Sequence, residues 1–185
     1  KIKYMFPKAH AAAYTISSLR IAWFKVNYPV AYYCAYFTVR ADEFDSTLMI
    51  RGLPVVRRER ERLQSNFRDV SDREQKIFYI LEIVEEMYLR GISFLPLDLM
   101  ESDAYRFLPA GEKLIRPPLS SVPGISRTLA ANIVEARNAG PFKSRDELGN
   151  RAGIGSGALE TLAETGCLDG LPQSAQIDLF EYMSL

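Results

Sequence analysis

Apolar residues recur with helical spacing through most of the first ninety residues of the chain. Between residues 8 and 26 they fall on nearly every face, which predicts a helix that is packed on several sides. Pro29 interrupts this pattern and suits the first turn of a second helix, which extends to about residue 39. Residues 42–68 predict two shorter helical pieces that are interrupted near Gly52.

A helix after residue 70 has the clearest predicted boundaries. Ser71 and Glu74 have the spacing of a capping box, in which each side chain accepts a hydrogen bond from the N–H of the other residue. Gly91 suits the end of this helix because glycine adopts positive φ at little cost. The apolar positions between these signals have helical spacing: Ile77, Ile80, Leu81, Val84, Met87 and Tyr88.

From residue 92 the hydrophobic period shortens to that of β-structure. Residues 92–99 predict a short strand region, and residues 105–115 predict a small hairpin that turns at Pro109-Ala110-Gly111. Helical spacing returns beyond the Pro117-Pro118 pair. The predicted fold class is therefore mainly α, or α+β with one small β-hairpin. Its predicted parts are residues 1–92, 93–118, 119–170 and a flexible tail at 171–185.

The part at 119–170 contains a weak internal repeat. Residues 122–126 (Val-Pro-Gly-Ile-Ser) precede a helix predicted over 127–137, and residues 152–156 (Ala-Gly-Ile-Gly-Ser) precede another over 157–164. A helix predicted over 144–150 joins the two copies. This arrangement resembles the tandem helix-hairpin-helix fold of DNA-binding proteins that do not read sequence.

The residue types of the repeat suit the sugar-phosphate backbone of duplex DNA. Glycine lets the main chain approach a phosphodiester closely, and the start of the following helix presents free N–H groups. Such contacts carry no base information. Ile125 and Ile154 are expected to anchor the turns in the core, although ordinary turns between helices remain an alternative. The predicted backbone-binding residues are Gly124, Ile125, Ser126, Arg127, Gly153, Ile154, Gly155 and Ser156.

Charge is distributed unevenly, although the 185 residues carry no net charge. Residues 1–41 contain basic residues and no acid, whereas residues 159–185 contain acids and no Lys or Arg. Glu160 and Glu164 follow the second turn, so the first hairpin is expected to bind phosphate more strongly. The alternating Arg and Glu residues at 57–62 predict a solvated face whose charges pair within the helix, with contact to DNA as the alternative.

Cys34 and Cys167 lie far apart and in no Cys/His cluster, so the sequence predicts neither a zinc site nor a disulfide framework. We interpret them as small buried residues of a protein in a reducing compartment. The longest apolar run, residues 29–39, is about half as long as a membrane span, and no export signal is recognisable. The expected location is the cytoplasm, without a membrane partner. The start at Lys1 indicates a piece of a longer protein.

The end of the chain carries a compact set of anchors at Gln176, Ile177, Asp178, Leu179 and Phe180. An extended tail with such side chains can dock in an apolar pocket of a partner. The pentapeptide resembles the motif with which bacterial replication and repair proteins bind the sliding clamp. The alternatives are a frayed terminus and a short strand that returns to the domain.

Residues 5–14, Met-Phe-Pro-Lys-Ala-His-Ala-Ala-Ala-Tyr, resemble a signature of the C-family of bacterial replicative DNA polymerases. Residues 22–29 are similar to its continuation, and the clamp motif follows the helix-hairpin-helix region directly, as in PolC-type members. The resemblance implies that residues 1–92 belong to the fingers, which contact the incoming deoxynucleoside triphosphate and the template. The implied contact residues are Lys8, His10, Arg20 and Lys25. Lys8 and His10 are equally compatible with an ordinary helix start.

DNA polymerisation requires clustered carboxylates that hold two metal ions. Asp42, Glu43 and Asp45 form a tight acid cluster, but their place at a helix entry favours a structural interpretation. The resemblance implies that the Mg²⁺-binding aspartates lie in a palm upstream, so this chain is expected to hold no cofactor and to be inactive alone. The expected function is that of a C-terminal part of a polymerase. The alternatives are a stand-alone helix-hairpin-helix adaptor that recruits the clamp in repair or recombination, and a first domain that is a protein-interaction bundle.

Overall fold

The computed structural model describes residues 7–67 and 69–174, except for the side chain of Asp42. Within these ranges the α-helices are α1 (Lys8–Asn27), α2 (Pro29–Val39), α3 (Ser46–Met49), α4 (Leu53–Ser65), α5 (Asp72–Leu89), α6 (Arg127–Asn138), α7 (Arg145–Ala152) and α8 (Ser156–Glu164). Short 3-10 turns cover Ala41–Glu43 and Leu119–Ser121. The predicted mainly α fold class is confirmed.

The ends of α5 agree with the prediction because their signals are local. The N–H of Ser71 donates to Glu74 Oε2 at 3.0 Å, and the N–H of Glu74 donates to Ser71 Oγ at 3.3 Å. The predicted capping box is therefore formed. At the other end, the helix stops at Leu89, and Gly91 has a φ of +75°.

A small sheet connects the first helical region (α1–α5) to the second helical region (α6–α8). Its strands are β1 (Ser93–Phe94), β2 (Leu108–Pro109) and β3 (Leu114–Arg116), in the order β1-β3-β2. β2 and β3 pair antiparallel, so the predicted hairpin is confirmed. β1 pairs parallel with β3, with Ser93 opposite Leu114. The strand region predicted over 92–99 is limited to two residues, since the chain turns at Asp98, whose carboxylate accepts two backbone N–H bonds.

The buried side chains form two cores. The first core lies among α2, α4, α5 and the sheet, and its centre is a group of aromatic rings with centroids 4.8–6.1 Å apart, namely Phe37, Phe44, Phe94 and Phe107. The second core lies among α6, α7 and α8 and includes Leu97, Leu99, Ile133, Leu148 and Leu162. The segment between the helical regions therefore contributes side chains to both cores.

α1 is a helix, as predicted, but its packing differs from the expectation. None of its residues is buried by the part of the chain that the structure describes. Trp23 and Phe24 have 53% and 54% of their surface exposed. An ion pair of 2.5 Å between Lys25 Nζ and Glu86 Oε2 joins α1 to α5. In the described ranges, no helix combines the length and the hydropathy that crossing a bilayer requires.

The tail predicted at 171–185 begins with residues that are fixed to α7. The N–H groups of Arg145 and Asp146 donate to the carbonyls of Pro172 and Gln173 at 2.9 and 3.1 Å. Residues 171–173 are therefore held by the second helical region, which the sequence did not predict. The clamp motif that was predicted at 176–180 lies outside the described residues.

Candidate nucleic-acid interface

The first predicted hairpin is a β-turn formed by Val122, Pro123, Gly124 and Ile125. The N–H of Ile125 donates to the carbonyl of Val122 at 3.0 Å. Proline at the second position and glycine with a φ of +84° at the third are the features of a type II turn. Gly124 is exposed, and a Cβ placed there meets no atom within 4 Å. Glycine is therefore favoured at this position because of its positive φ, and not because a Cβ would clash with a neighbouring atom.

α6 begins directly after this turn, with Ser126 as its N-cap. Ser126 Oγ accepts a hydrogen bond from the N–H of Leu129 at 3.2 Å. The N–H groups of Gly124, Ser126 and Thr128 have no acceptor within the described part of the chain. Together with the positive end of the α6 dipole, these exposed amides form a cluster of donors that suits an anion such as a backbone phosphate.

The second predicted hairpin reaches a similar helix start by a different route. α7 continues to Ala152, and Gly153 follows in the left-handed conformation with a φ of +66°. The N–H groups of Gly153 and Ile154 both donate to the carbonyl of Gly149. Gly153 therefore closes α7. Its own amide is engaged within the fold, which corrects the hypothesis that this amide is offered to DNA.

The open amides of the second hairpin begin at Gly155. This residue is the N-cap of α8 and provides no side-chain acceptor. Among the residues that the structure describes, none accepts a hydrogen bond from the N–H groups of Gly155, Ser156 and Gly157. All three residues are exposed. The second donor cluster is therefore at least as open as the first.

Ile125 and Ile154 hold the two turns in place. They are 4% and 6% exposed and belong to the second core, together with Leu148 and Leu162. Burial of an isoleucine side chain stabilises a protein by about 1.5–3 kcal/mol. The predicted anchoring of both turns is therefore confirmed. Any contribution of these side chains to DNA binding is indirect, because they are buried in the core.

A cleft of about 610 Å³ lies beside the first hairpin. Gly124 and Arg127 line it from the hairpin, and Arg73 and Lys76 line it from the first turns of α5. The charge of the cleft is mixed, since Lys76 Nζ lies 3.8 Å from Glu43 Oε1. Sequence reasoning missed Arg73 and Lys76, for which the only signal was their spacing of three on one helix face.

A second cleft, of about 480 Å³, lies beside the second hairpin. Ser156, Glu160, Asp146 and Gln173 are among the residues that line it. The carboxylates of Glu160 and Asp146 make this surface less favourable for phosphate than the first cleft. The predicted electrostatic difference between the two hairpins is therefore present in the structure.

Two arginines of the second helical region are engaged with main-chain carbonyls. A guanidinium nitrogen of Arg137 donates to the carbonyls of Leu99 and Ser102 at 2.9 and 2.7 Å. Burial lowers the pKa of Arg137. Arg151 donates to the carbonyl of Gly140 at 2.9 Å. Both side chains stabilise loops of the second helical region.

The four predicted nucleotide or template contacts do not form one cluster. Lys8 and His10 lie in the first turn of α1, and Arg20 lies about 18 Å further along the helix axis. These three residues are exposed, whereas Lys25 is paired with Glu86. Burial by itself raises the pKa of Glu86, but the hydrogen bonds from Lys25 and a neighbouring arginine lower it below its usual value. Contact of these residues with nucleotide stays a prediction.

The acids at the start of α3 have structural partners. Asp45 Oδ1 accepts a hydrogen bond from the N–H of Thr47 at 2.9 Å and caps α3. Glu43 pairs with Arg40 at 3.3 Å and also lies near Lys76. Since these oxygens are bound to N–H groups and cations, they do not fit a metal site. In the described ranges, no group of three or more His, Cys, Asp and Glu side chains is arranged to hold a metal ion.

Comparison with known proteins first gives the class of the second helical region. Residues 91–176 match a family model described as a helix-hairpin-helix motif. The matched residues include both turns and helices α6, α7 and α8, together with the small sheet. The predicted helix-hairpin-helix module is therefore confirmed.

The similarity of the chain to named proteins is more specific than the match to the family model. It is 47% identical over 180 residues to the DNA polymerase III PolC-type of Halalkalibacterium halodurans. The aligned region covers 97% of this chain and 12% of the relative. It is 45% identical over 181 residues to the protein of the same name from Staphylococcus aureus, covering 98% of this chain and 12% of the relative. The chain thus spans about an eighth of the length of these curated relatives. The predicted resemblance to PolC-type members of the C-family polymerases is confirmed over nearly the whole chain.

Proposed function

We propose that this chain binds the sugar-phosphate backbone of duplex DNA, without reading sequence, as part of a PolC-type DNA polymerase. The observation that carries the proposal is the pair of exposed donor clusters at the starts of α6 and α8. Ile125 and Ile154 fix both clusters to one core. Two donor clusters in a fixed relation match a ligand whose anionic groups repeat at regular intervals, as the phosphates of DNA do.

Salt dependence tests this proposal. We expect the affinity for two short duplexes of unrelated sequence to be equal. We also expect log K to fall with log salt by roughly 0.9 per phosphate neutralised, and so by about 2 or more for two hairpins. The measurement is fluorescence anisotropy over a salt series. A slope near zero, or a clear preference for one sequence, would contradict backbone binding.

The same proposal gives the first helical region a role in the fingers of the full-length protein. Lys8, His10 and Arg20 are its candidates for contact with the deoxynucleoside triphosphate or the template, and their exposure and the similarity to PolC-type sequences support this. Lys25 is the weakest candidate because it is paired with Glu86. The Mg²⁺ ions required for catalysis belong, in this proposal, to the palm of the parent protein.

The tail is proposed to bind the sliding clamp through Gln176, Ile177, Asp178, Leu179 and Phe180. A short motif of this kind binds with a dissociation constant on the order of micromolar, or about −8 kcal/mol. We expect the double substitution Leu179→Ala and Phe180→Ala to abolish binding to immobilised clamp in surface plasmon resonance. Duplex affinity should be unchanged, since the hairpins are intact. Unaltered clamp binding by this variant would refute the assignment.

A further inference from the structure

The cleft beside the first hairpin is built by both helical regions. Residues 122–127 of the hairpin line one side of it, and residues 43–45 together with the first turns of α5 line the other side. Phe44 and Ile125, which belong to this lining, are 5% and 4% exposed and lie in the first and the second core, respectively. Since each wall is fixed by a core of its own, the cleft exists before any ligand binds.

Among the described residues, three cations line this cleft. Arg73 and Lys76 are three residues apart on α5 and therefore share one face of that helix. Arg127 follows the first hairpin at the start of α6. All three side chains belong to exposed residues, and no carboxylate of the described residues pairs with Arg73. The α5 wall of the cleft thus presents positive charge to the hairpin.

Glu43 and Asp45, the acids in the described lining of the cleft, are engaged within the fold. Asp45 Oδ1 accepts hydrogen bonds from the N–H and the hydroxyl of Thr47 at 2.9 and 2.6 Å. Glu43 pairs with Arg40 at 3.3 Å, and its other partner, Lys76, is 3.8 Å away with 62% of its side chain exposed. An exposed pair of this length contributes little to stability, so Lys76 can turn towards an anion in the cleft at little cost.

The open amides of the first hairpin lie on the wall of the same cleft. Gly124 and Ser126 line it, and their N–H groups have no acceptor within the described part of the chain. The cleft has a volume of about 610 Å³, whereas a water molecule occupies about 30 Å³ in the liquid, so the cleft is large enough to admit a phosphate group. Main-chain amides and cationic side chains are the groups with which proteins bind the phosphates of nucleic acids.

We infer that Arg73 and Lys76 bind a second phosphate of the DNA strand whose first phosphate is held by the amides of the first hairpin. This inference rests on the proposed backbone binding and adds to it a contribution of the first helical region. Phosphates follow one another at regular intervals along a strand, so a strand that is held at the hairpin continues past the opposite wall of the cleft. The duplex thereby bridges the two helical regions.

Two matched double substitutions test the inference. Arg73→Gln with Lys76→Gln should weaken the binding of two unrelated duplexes equally, by about tenfold, and should reduce the slope of log K against log salt by about 0.9, the value for one phosphate contact. The control is Arg90→Gln with Lys113→Gln, which removes the same charges.

The control residues lie at the other end of α5. Arg90 is about 25 Å from Arg73 along the helix axis, and Lys113 Nζ lies beside Gly91. Exposed charges at this distance are screened, so the control should change the affinity by less than about twofold and leave the slope unaltered. Equal losses in the two variants would overturn the inference, because net charge and not position would then determine the binding.

The side-chain Nε–H signal of Arg73 in NMR gives a readout on the unmodified chain. This signal should shift when a short duplex is added, and the same concentration of phosphate supplied as a deoxynucleoside triphosphate should shift it less. A duplex that shifts the amides of Gly124 and Ser126 but not this signal would overturn the inference alone, as would a larger shift with the triphosphate. If the unmodified chain binds no duplex, the proposed function fails and the inference fails with it.

Discussion

The two hairpins present main-chain amides in the same way but build their turns differently. The first uses a Pro-Gly turn and a serine cap, whereas the second uses the left-handed end of α7 and a glycine cap. Ser126 accepts the N–H of Leu129, while no side chain in the described part of the chain accepts an N–H at the start of α8. The feature that the two hairpins share is therefore an exposed helix start that is anchored by an isoleucine, and not one type of turn.

The surroundings of the hairpins also differ. Arg73 and Lys76 line the first cleft, and Glu160 lines the second. Since each hairpin presents three open amides, we expect binding at the first hairpin to depend more on charge than binding at the second. Four changes test this comparison, beginning with the one that should have the largest effect.

Removal of either isoleucine anchor should have the largest effect. Ile125→Ala and Ile154→Ala should each lower the free energy of unfolding by about 2–5 kcal/mol, because both side chains are nearly fully buried. Urea unfolding measures this, with the partly exposed Leu114→Ala as the control, for which a smaller loss is expected. A loss below about 1 kcal/mol for one isoleucine would show that its turn is not anchored.

The turn glycine of the first hairpin should affect DNA binding as well as stability. Gly124 and Gly170 have φ values of +84° and +86°, and both have open space around them. Gly124→Ala and Gly170→Ala should therefore cost the same strain, about 1–2 kcal/mol. Only Gly124→Ala should weaken duplex binding, by about tenfold or 1.4 kcal/mol, because a methyl group there hinders the approach of a phosphate. Equal affinities of the two variants would contradict the role of the first hairpin.

The two serines distinguish the caps. Ser126→Ala should lower the free energy of unfolding by about 1 kcal/mol because it removes the N-cap of α6. Ser156→Ala should change it by less than about 0.5 kcal/mol, since Ser156 follows the cap of α8 and makes no capping bond. Urea unfolding of both variants measures the difference. Equal losses in the free energy of unfolding for the two variants would contradict this difference between the caps.

Loss of the Glu147 contacts in acid should have the smallest effect, centred on the loop that precedes α7. Glu147 accepts the N–H of Lys143 at 2.8 Å and pairs with Arg151 at 3.1 Å, and these contacts lower the pKa of Glu147. Because the folded-state pKa is lower than the unfolded one, the stabilisation is present above the unfolded pKa and is lost as the pH falls through the folded pKa. Amide NMR during acid titration should show this at Lys143, whose N–H donates to Glu147. Glu147→Gln should remove it, and an equal Glu147-dependent change at Gly124 would show that the effect is not local.

Features with local causes were predictable from the sequence. The capping box at Ser71 and Glu74 forms because its two partners are three residues apart. The β2–β3 hairpin has its turn between its strands, and Ile125 and Ile154 are buried as their place beside the turn glycines predicts. In each case a few neighbouring residues determine the geometry.

Features that depend on distant partners were not predictable. The parallel pairing of Ser93 with Leu114 requires the fold to bring two segments together. Arg57 and Arg60 pair with Glu85 of α5, whereas Arg62 pairs with Glu59 within α4, as the alternating charges predict. Gly153 closes α7 because that helix extends two residues beyond its predicted end, and helix ends are the least certain part of a sequence prediction. The hydrogen bonds that hold Pro172 and Gln173 depend in the same way on amides of α7.

In the proposed function, main-chain amides of both hairpins contact the phosphates of a duplex. A titration of the ¹⁵N-labelled chain with a short duplex, followed by amide NMR, measures these contacts residue by residue. The amides of Gly124, Ser126, Gly155 and Ser156 should shift most, whereas those of Gly111 and Gly170 should not move. Unmoved signals at both hairpins, with large shifts elsewhere in the chain, would contradict the claim.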